Sequence, residues 1–265
     1  MSRGYLTVIV LACVAVGCAT APATPFPSGR LVDLTHAFDE DAIYWPTSPG
    51  FEIETLSEGV TDGGYYYLAK RFRTAEHGGT HIDAPIHFSE NGVTVDAIAL
   101  EHLVGPGIVV DVRKSCEDDP DYQVGVDDFL AWEQRHGPIP SGAIVLLSTG
   151  FGKFWPDRMR YMGTDARGPD AVSDLHFPGL HPDAARWLIS PERGIRAVGL
   201  DTPSIDHGPS VDFETHVTLF GRNVPAFENV ANLDELPAVG FTVVALPMKI
   251  RGGSGAPLRI IAIVP

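Results

Sequence analysis

The chain has 265 residues, 44% hydrophobic and 20% charged, the proportions of a globular protein with room for a sizeable core. A net charge of −15 would repel phosphate and argues against nucleic acid as a partner. Of its three cysteines, Cys13 and Cys18 fall in the first stretch and only Cys116 in the body, so no intrachain disulfide framework is available.

In chain order, Arg3 precedes an apolar run from Leu6 to Val16, followed by Gly17-Cys18. A positive start, a short hydrophobic stretch and small residues at its end predict a cleaved signal over residues 1–17. The run is too short for a comfortable membrane span. Ala15-Val16-Gly17-Cys18 is similar to a bacterial lipobox, which predicts lipidation of Cys18, with Cys13 a second candidate after a much shorter apolar run. Ala19 in place of the aspartate that often retains lipoproteins favours the periplasmic side of the outer membrane, if the source is Gram-negative. Plain secretion and an uncleaved anchor are the alternatives. Residues 18–28, rich in Pro, Ala and Thr, read as a tether.

The body, 29–265, shows no internal repeat. Short apolar, β-branched runs predict strands at Leu31–Leu34, Gly107–Val112, Ala143–Leu147, Arg196–Leu200, Phe241–Leu246 and Leu258–Val264, several continuous enough to be buried on both faces. Tyr66–Arg73 is hairpin-like. Helical patterns lie at Asp127–His136, closed by Gly137, at Pro182–Ser190, opened by proline, and at Phe213–Phe220. The irregular order predicts one mixed α/β domain rather than a doubly wound sheet. No GxGxxG, Walker loop or GxSxG elbow occurs; Gly252-Gly253-Ser254-Gly255-Ala256 approaches the last and fails at its final position.

The segment from His77 to Phe88, His-Gly-Gly-Thr-His-Ile-Asp-Ala-Pro-Ile-His-Phe, holds three histidines and an aspartate, all at odd positions. Along an extended chain they share a face. His77 and His87 would then stand on the order of 33 Å apart, too far for one ion, so the segment must bend. Gly78-Gly79 and Pro85 supply the bends. His81 and Asp83, about 7 Å apart along the strand, remain a workable cation clamp. Imidazole and carboxylate without thiolate suit zinc first and manganese second, and disfavour a purely structural zinc site.

The segment contains every fixed position of His-x-Gly-x-His-x-Asp-x-Pro-x-His. It thereby resembles the cyclase family of metal hydrolases, which includes bacterial kynurenine formamidase (arylformamidase) and isatin hydrolase. The resemblance covers most of the body: Trp45-Pro46, Leu146–Gly150, Gly199–Asp206, His216 with Glu228 twelve residues on, and Gly252–Arg259. Thr47-Ser48 replaces the family's usual Gly-Asp after the proline. The resemblance implies a single mixed-sheet domain of the swivelling β/α/β, barrel-like kind over 29–265. It implies His77, His81 and Asp83 as ligands of a first metal. In members with two ions, Asp83 would bridge to a second held by His216 and Glu228, with Glu228 touching both. It also implies His87 as proton donor and acceptor, Trp45 in the substrate pocket, and a homo-oligomer, dimer or larger.

Elementary chemistry agrees. A divalent ion brings the pKa of bound water toward about 7, and an imidazole near 6.5 can take that proton and return it to a leaving nitrogen. The expected activity is metal-dependent hydrolysis of a small aryl amide, most like an arylformamidase releasing formate from N-formyl-kynurenine. Because the chain carries an export signal, lactam opening like that of isatin hydrolase, or hydrolysis of another cyclic amide or lactone, is the nearest alternative. A reading of another class is an exported metal-binding lipoprotein without catalysis. His87 as an additional ligand competes with His87 as base. Trp45 as rim packing competes with Trp45 as pocket wall, and Glu228 as a surface charge with Glu228 as ligand. Asp201 and Asp206 read equally as turn formers, His207 has no assigned role, and His36, His102, His136, His176 and His181 read as structural.

Overall fold

The structure, a computed structural model, describes Met1 and residues 28–265. Apart from Met1 and Ser28, the expected signal (1–17) and tether (18–28) lie outside the described residues. The described strands are β1 (Arg30–Asp33), β2 (Glu52–Val60), β3 (Tyr66–Arg73), β4 (His81–Asp83), β5 (Val104–Asp111), β6 (Gln123–Val124), β7 (Ile144–Ser148), β8 (Gly179–Leu180), β9 (Ala197–Leu200), β10 (Ala226–Glu228), β11 (Phe241–Pro247) and β12 (Gly255–Val264).

Seven of these close into a ring in the order β12-β11-β5-β7-β9-β10-β4 and back to β12, while β1 extends the sheet along the far end of β12. The run β5-β7-β9-β10 is parallel and the remaining pairs are antiparallel. This is the mixed, barrel-like single domain that the resemblance implies. Strand β7 shows why its sequence is continuously apolar: all five residues are buried. Ile144 and Leu146 join Val109, Phe227, Val243 and Ile260 in the cluster to which the ring strands contribute in common, whereas Val145 and Leu147 join Ile108, Phe129 and Trp132 beneath the helices. Alternation thus fills the ring with one set and packs the helices with the other.

The helix expected at Asp127–His136 spans Val126–His136 and stops at Gly137, whose φ of 88° needs no Cβ to avoid strain. Trp132 fixes it to the sheet, its Nε1–H donating to Val109 O at 2.8 Å. Expected strands and helices elsewhere shift by a few residues. One shift matters: the strand expected from Leu258 begins at Gly255, and those extra residues pair with β4. The Tyr66–Arg73 stretch pairs with β2, for which the sequence offered no clear signal, in a hairpin separate from the ring. No described helix is long and apolar enough to cross a membrane.

Candidate metal centre

Strand β4 is only His81-Ile82-Asp83, held between β10 and β12. Ile82 joins Phe227 and Ala256 in the ring core, so alternation sends His81 and Asp83 out through the opposite face. The β4–β10 register sets Glu228 directly across from His81. All three are buried. The bends fall where the sequence put them. Gly79 has φ 57°, and a Cβ on Gly78 would lie 2.0 Å from the Tyr44 ring. After Pro85 a 3₁₀ turn carries His87 back over the strand, where its ring stacks on His77 with centroids 3.8 Å apart. His216 arrives from the helix Glu214–Phe220 and is also buried.

The hydrogen bonds then set which nitrogen each imidazole presents. His81 Nδ1–H donates to Gly79 O at 3.0 Å, which leaves Nε2 facing Asp83 Oδ1 at 3.1 Å and Glu228 Oε2 at 3.3 Å. His216 Nδ1–H donates to Asp206 Oδ2 at 2.5 Å, leaving Nε2 3.2 Å from both Asp83 Oδ2 and Glu228 Oε1. His77 Nδ1 lies 2.7 Å from Asp83 Oδ1. Lone pairs therefore converge on carboxylate oxygens, and His81 Nε2 is a buried polar atom with no hydrogen-bond partner. A cation among them resolves the conflict. A tetrahedral ion with bonds of about 2.0–2.1 Å has ligand–ligand edges of roughly 3.3 Å, close to the separations around His81 and His216, though longer than that between His77 and Asp83. The donor set and its spacing fit a divalent metal: His81, Asp83 and Glu228 can share one ion, and His77, Asp83 and His87 also lie within reach of one another.

Electrostatics give the same picture. Burial would strip the proton from His81, but Asp83 and Glu228 hold it up to about 10. Burial works likewise against the charge on His216, yet Asp206, Asp83 and Glu228 keep it well above the usual histidine range. Asp83, despite burial, is held well below the carboxylate range by His77, His216 and His81. The pocket is built for positive charge, supplied by protons or by a metal. His87 behaves oppositely. The residue has exposed surface, but its ring is crowded between His77 and Phe88, and this loss of water pushes it down to about 4 against the pull of Asp83.

A cavity of about 260 Å³ opens above the cluster, and all seven residues singled out in the sequence line it: Trp45, His77, His81, Asp83, His87, His216 and Glu228. Aromatic side chains beside the cluster complete its wall. Trp45 and Phe213 have centroids 6.4 Å apart, and Phe213 and Phe88 5.2 Å.

The family model described as "Putative cyclase" matches residues 32–207, two thirds of the chain and the whole His77–His87 segment. The chain belongs to the cyclase family. An isatin hydrolase of Roseibium aggregatum is 34% identical over 226 residues, 82% of each chain. A kynurenine formamidase of Salinibacter ruber is 28% identical over 231 residues, 87% of this chain and 96% of the relative. Among solved structures, isatin hydrolase A from Ralstonia solanacearum superposes with a TM-score of 0.80 at 34% identity, covering 89% of this chain and 92% of that one. Two further solved neighbours, 27% and 28% identical, are described as a "potential" and a "predicted" metal-dependent hydrolase. This cyclase-family chain is accordingly an enzyme, a metal-dependent hydrolase of a small molecule.

Several residues of this cyclase-family site escaped sequence reading. Asp206 is one. In sequence it suits a turn as well as a site, and in the structure it is the partner that orients His216. Asn229, with φ 53°, donates through Nδ2 to the same Gly79 O that accepts from His81, at 2.7 Å. Ser254 lies 2.9 Å from His77 Nε2. Phe88 and Phe213 look like core aromatics in sequence, although the φ of 48° at Phe213 is unusual for so bulky a residue. Asp201 accepts from Thr149 N, Thr149 Oγ1 and Gly150 N and anchors that turn. His207 lines a different cavity from the metal cluster.

Proposed function

We propose that this enzyme opens the amide of a small, flat, uncharged aryl lactam of the isatin kind. The observation that carries this is the cavity wall. It joins Trp45, Phe88 and Phe213 to the His/Asp/Glu cluster and includes no lysine or arginine among the described residues. N-formyl-kynurenine carries an α-carboxylate, which a cationic partner would normally meet. An isatin-like ring needs only stacking surface and a polar end. The stronger likeness to isatin hydrolases, 34% against 28% for the kynurenine formamidase, supports the same choice.

We assign His77, His81, Asp83, His216 and Glu228 as the metal-holding set, for one or two ions, with zinc favoured by the imidazole-rich donors and manganese second. When bound, the ion polarises the scissile carbonyl and acidifies water. The chain's own residues supply the rest. Trp45, Phe213 and Phe88 position the ring, and their apolar surface excludes bulk water. His87, kept neutral by its crowded position, accepts a proton from the attacking water at one ring nitrogen. Water's oxygen bonds to the carbonyl carbon, the C–N bond breaks, and His87 returns the proton to the leaving aryl nitrogen, yielding an aryl amine and a carboxylic acid, which releases its remaining proton to solvent as the carboxylate.

Assaying metal-reconstituted protein on isatin and on N-formyl-kynurenine tests the substrate. Faster isatin opening is expected, and turnover of only the formamide would reverse the choice. His87→Ala should lose turnover while keeping its metal; loss of the metal itself would make His87 a ligand. The lipobox-like Ala15–Cys18 supports export with a lipid anchor, tested by labelled palmitate that the wild type incorporates and Cys18→Ala does not.

A further inference from the structure

The stretch Gly252-Gly253-Ser254-Gly255-Ala256, too irregular for a serine-hydrolase elbow, runs into the start of β12 beside the metal cluster. Ser254 donates twice to one oxygen of Glu76, from its backbone N–H at 2.9 Å and from its hydroxyl at 2.7 Å. That carboxylate oxygen accepts from both, so the single hydroxyl proton is committed to Glu76. Ser254 Oγ, 2.9 Å from His77 Nε2, is then left as an acceptor. That places the His77 proton on Nε2 and aims the bare Nδ1 at Asp83 Oδ1, 2.7 Å away. The flanking glycines make the approach possible. A Cβ on Gly253 would meet Glu76 Oε1 at 2.7 Å, and one on Gly255 would meet His77 Cε1 at 2.5 Å.

We propose that Glu76 and Ser254 are positioning residues that fix the tautomer of His77, so that Nδ1 is the atom offered to the metal. The proposal rests on His77 being a ligand, as assigned above. It gives the Gly-Gly-Ser-Gly stretch a task that explains both the serine and the two glycines around it. His81 and His216 are fixed likewise, by Gly79 O and Asp206. All three imidazoles would then be oriented from outside the ion's own shell.

The test is zinc binding, read without substrate. In the zinc-loaded wild type, long-range proton–nitrogen correlation of the His77 ring should show Nε2 protonated and Nδ1 bound. Zinc affinity, by competition with a chromogenic chelator, should fall roughly 10–100-fold in Ser254→Ala and be largely restored in Ser254→Thr, which keeps the hydroxyl. Glu76→Gln should also weaken zinc, because its amide can donate to Ser254 and reverse the chain. Zinc bound through Nε2 of His77 in the wild type, or unchanged affinity in both Ser254→Ala and Glu76→Gln, would overturn the proposal and leave the hydrolase reading intact. A wild type that takes up no zinc would overturn both. The wild-type spectrum decides even if Ser254→Ala does not fold.

Discussion

Single residues carry the chemistry of this site, and their backbone surroundings decide what each can do. The His77–His87 motif was readable because its spacing and residue types leave few physical alternatives. Asp206 was not, because an aspartate after a buried strand also suits a turn. Only the fold reveals that it accepts from His216 Nδ1. Asp206→Asn retains an acceptor but weakens the pull on that proton, so metal affinity should drop roughly tenfold or more, measured by chelator competition with the wild type alongside. His36, read as structural, stacks on Trp155 with centroids 4.2 Å apart, and its Nε2 is buried without a partner. Burial pushes it down to about 4. Above pH 6.5 the ring is neutral in both folded and unfolded chains. As pH falls from 6.5 to about 4 the unfolded chain gains a proton that the folded one refuses, and stability is lost. The full effect is on the order of 3 kcal/mol. Denaturation at pH 7 and pH 4.5 should show a steeper acid loss for wild type than for His36→Phe; parallel losses would refute this role.

Elements tell a second story. Buried strands such as β7 were plain in sequence because both faces are covered, and the helix ending at Gly137 because its stop signal is local. Strands β4 and β10 are three residues each and take their conformation from neighbours rather than from propensity, so sequence pattern could not bound them. The β2–β3 hairpin poses the opposite problem. On β3, Tyr66, Leu68 and Phe72 fall on one face, with Ile53 across from Phe72, and all are exposed. The Glu54–Arg71 ion pair lies on the other face. Glu58, opposite Leu68, and Lys70 fall on the same face as Tyr66, so it is mixed, but its exposed Tyr66, Leu68, Phe72 and Ile53 fit the homo-oligomer implied by family resemblance. Full-length wild type should elute as a dimer or larger by light-scattering chromatography, and Leu68→Glu with Phe72→Glu should elute smaller. A monomeric wild type would remove the hairpin from that role.

At the scale of the molecule, the barrel explains why a motif read in one short segment was incomplete. Closing the ring sets β4 against β10 and against the start of β12, so His81 meets Glu228, and Ser254 meets His77, despite their separation along the chain. Fold class was recoverable from resemblance, whereas this convergence depends on strand register, which no local pattern encodes. The same closure buries Asp83 and Glu228 close together, so the ion should stabilise the whole domain. With zinc at about a hundred times its dissociation constant, the gain is about 2.7 kcal/mol, or roughly 5–10 °C in melting temperature. Calorimetry of chelated and reloaded protein checks this, and identical melting would place the ion outside the fold's energetics.

The most direct test of the central claim is isatin opening by one preparation assayed as purified, after chelation, and after zinc or manganese is restored, with Glu228→Gln and His87→Ala in parallel. Turnover should vanish on chelation and return with metal. Glu228→Gln should be impaired together with its metal binding, and His87→Ala should stay inactive with its metal in place. Isatin opening that persists in the metal-free protein, or full activity in His87→Ala, would contradict a metal-dependent hydrolase built on these residues.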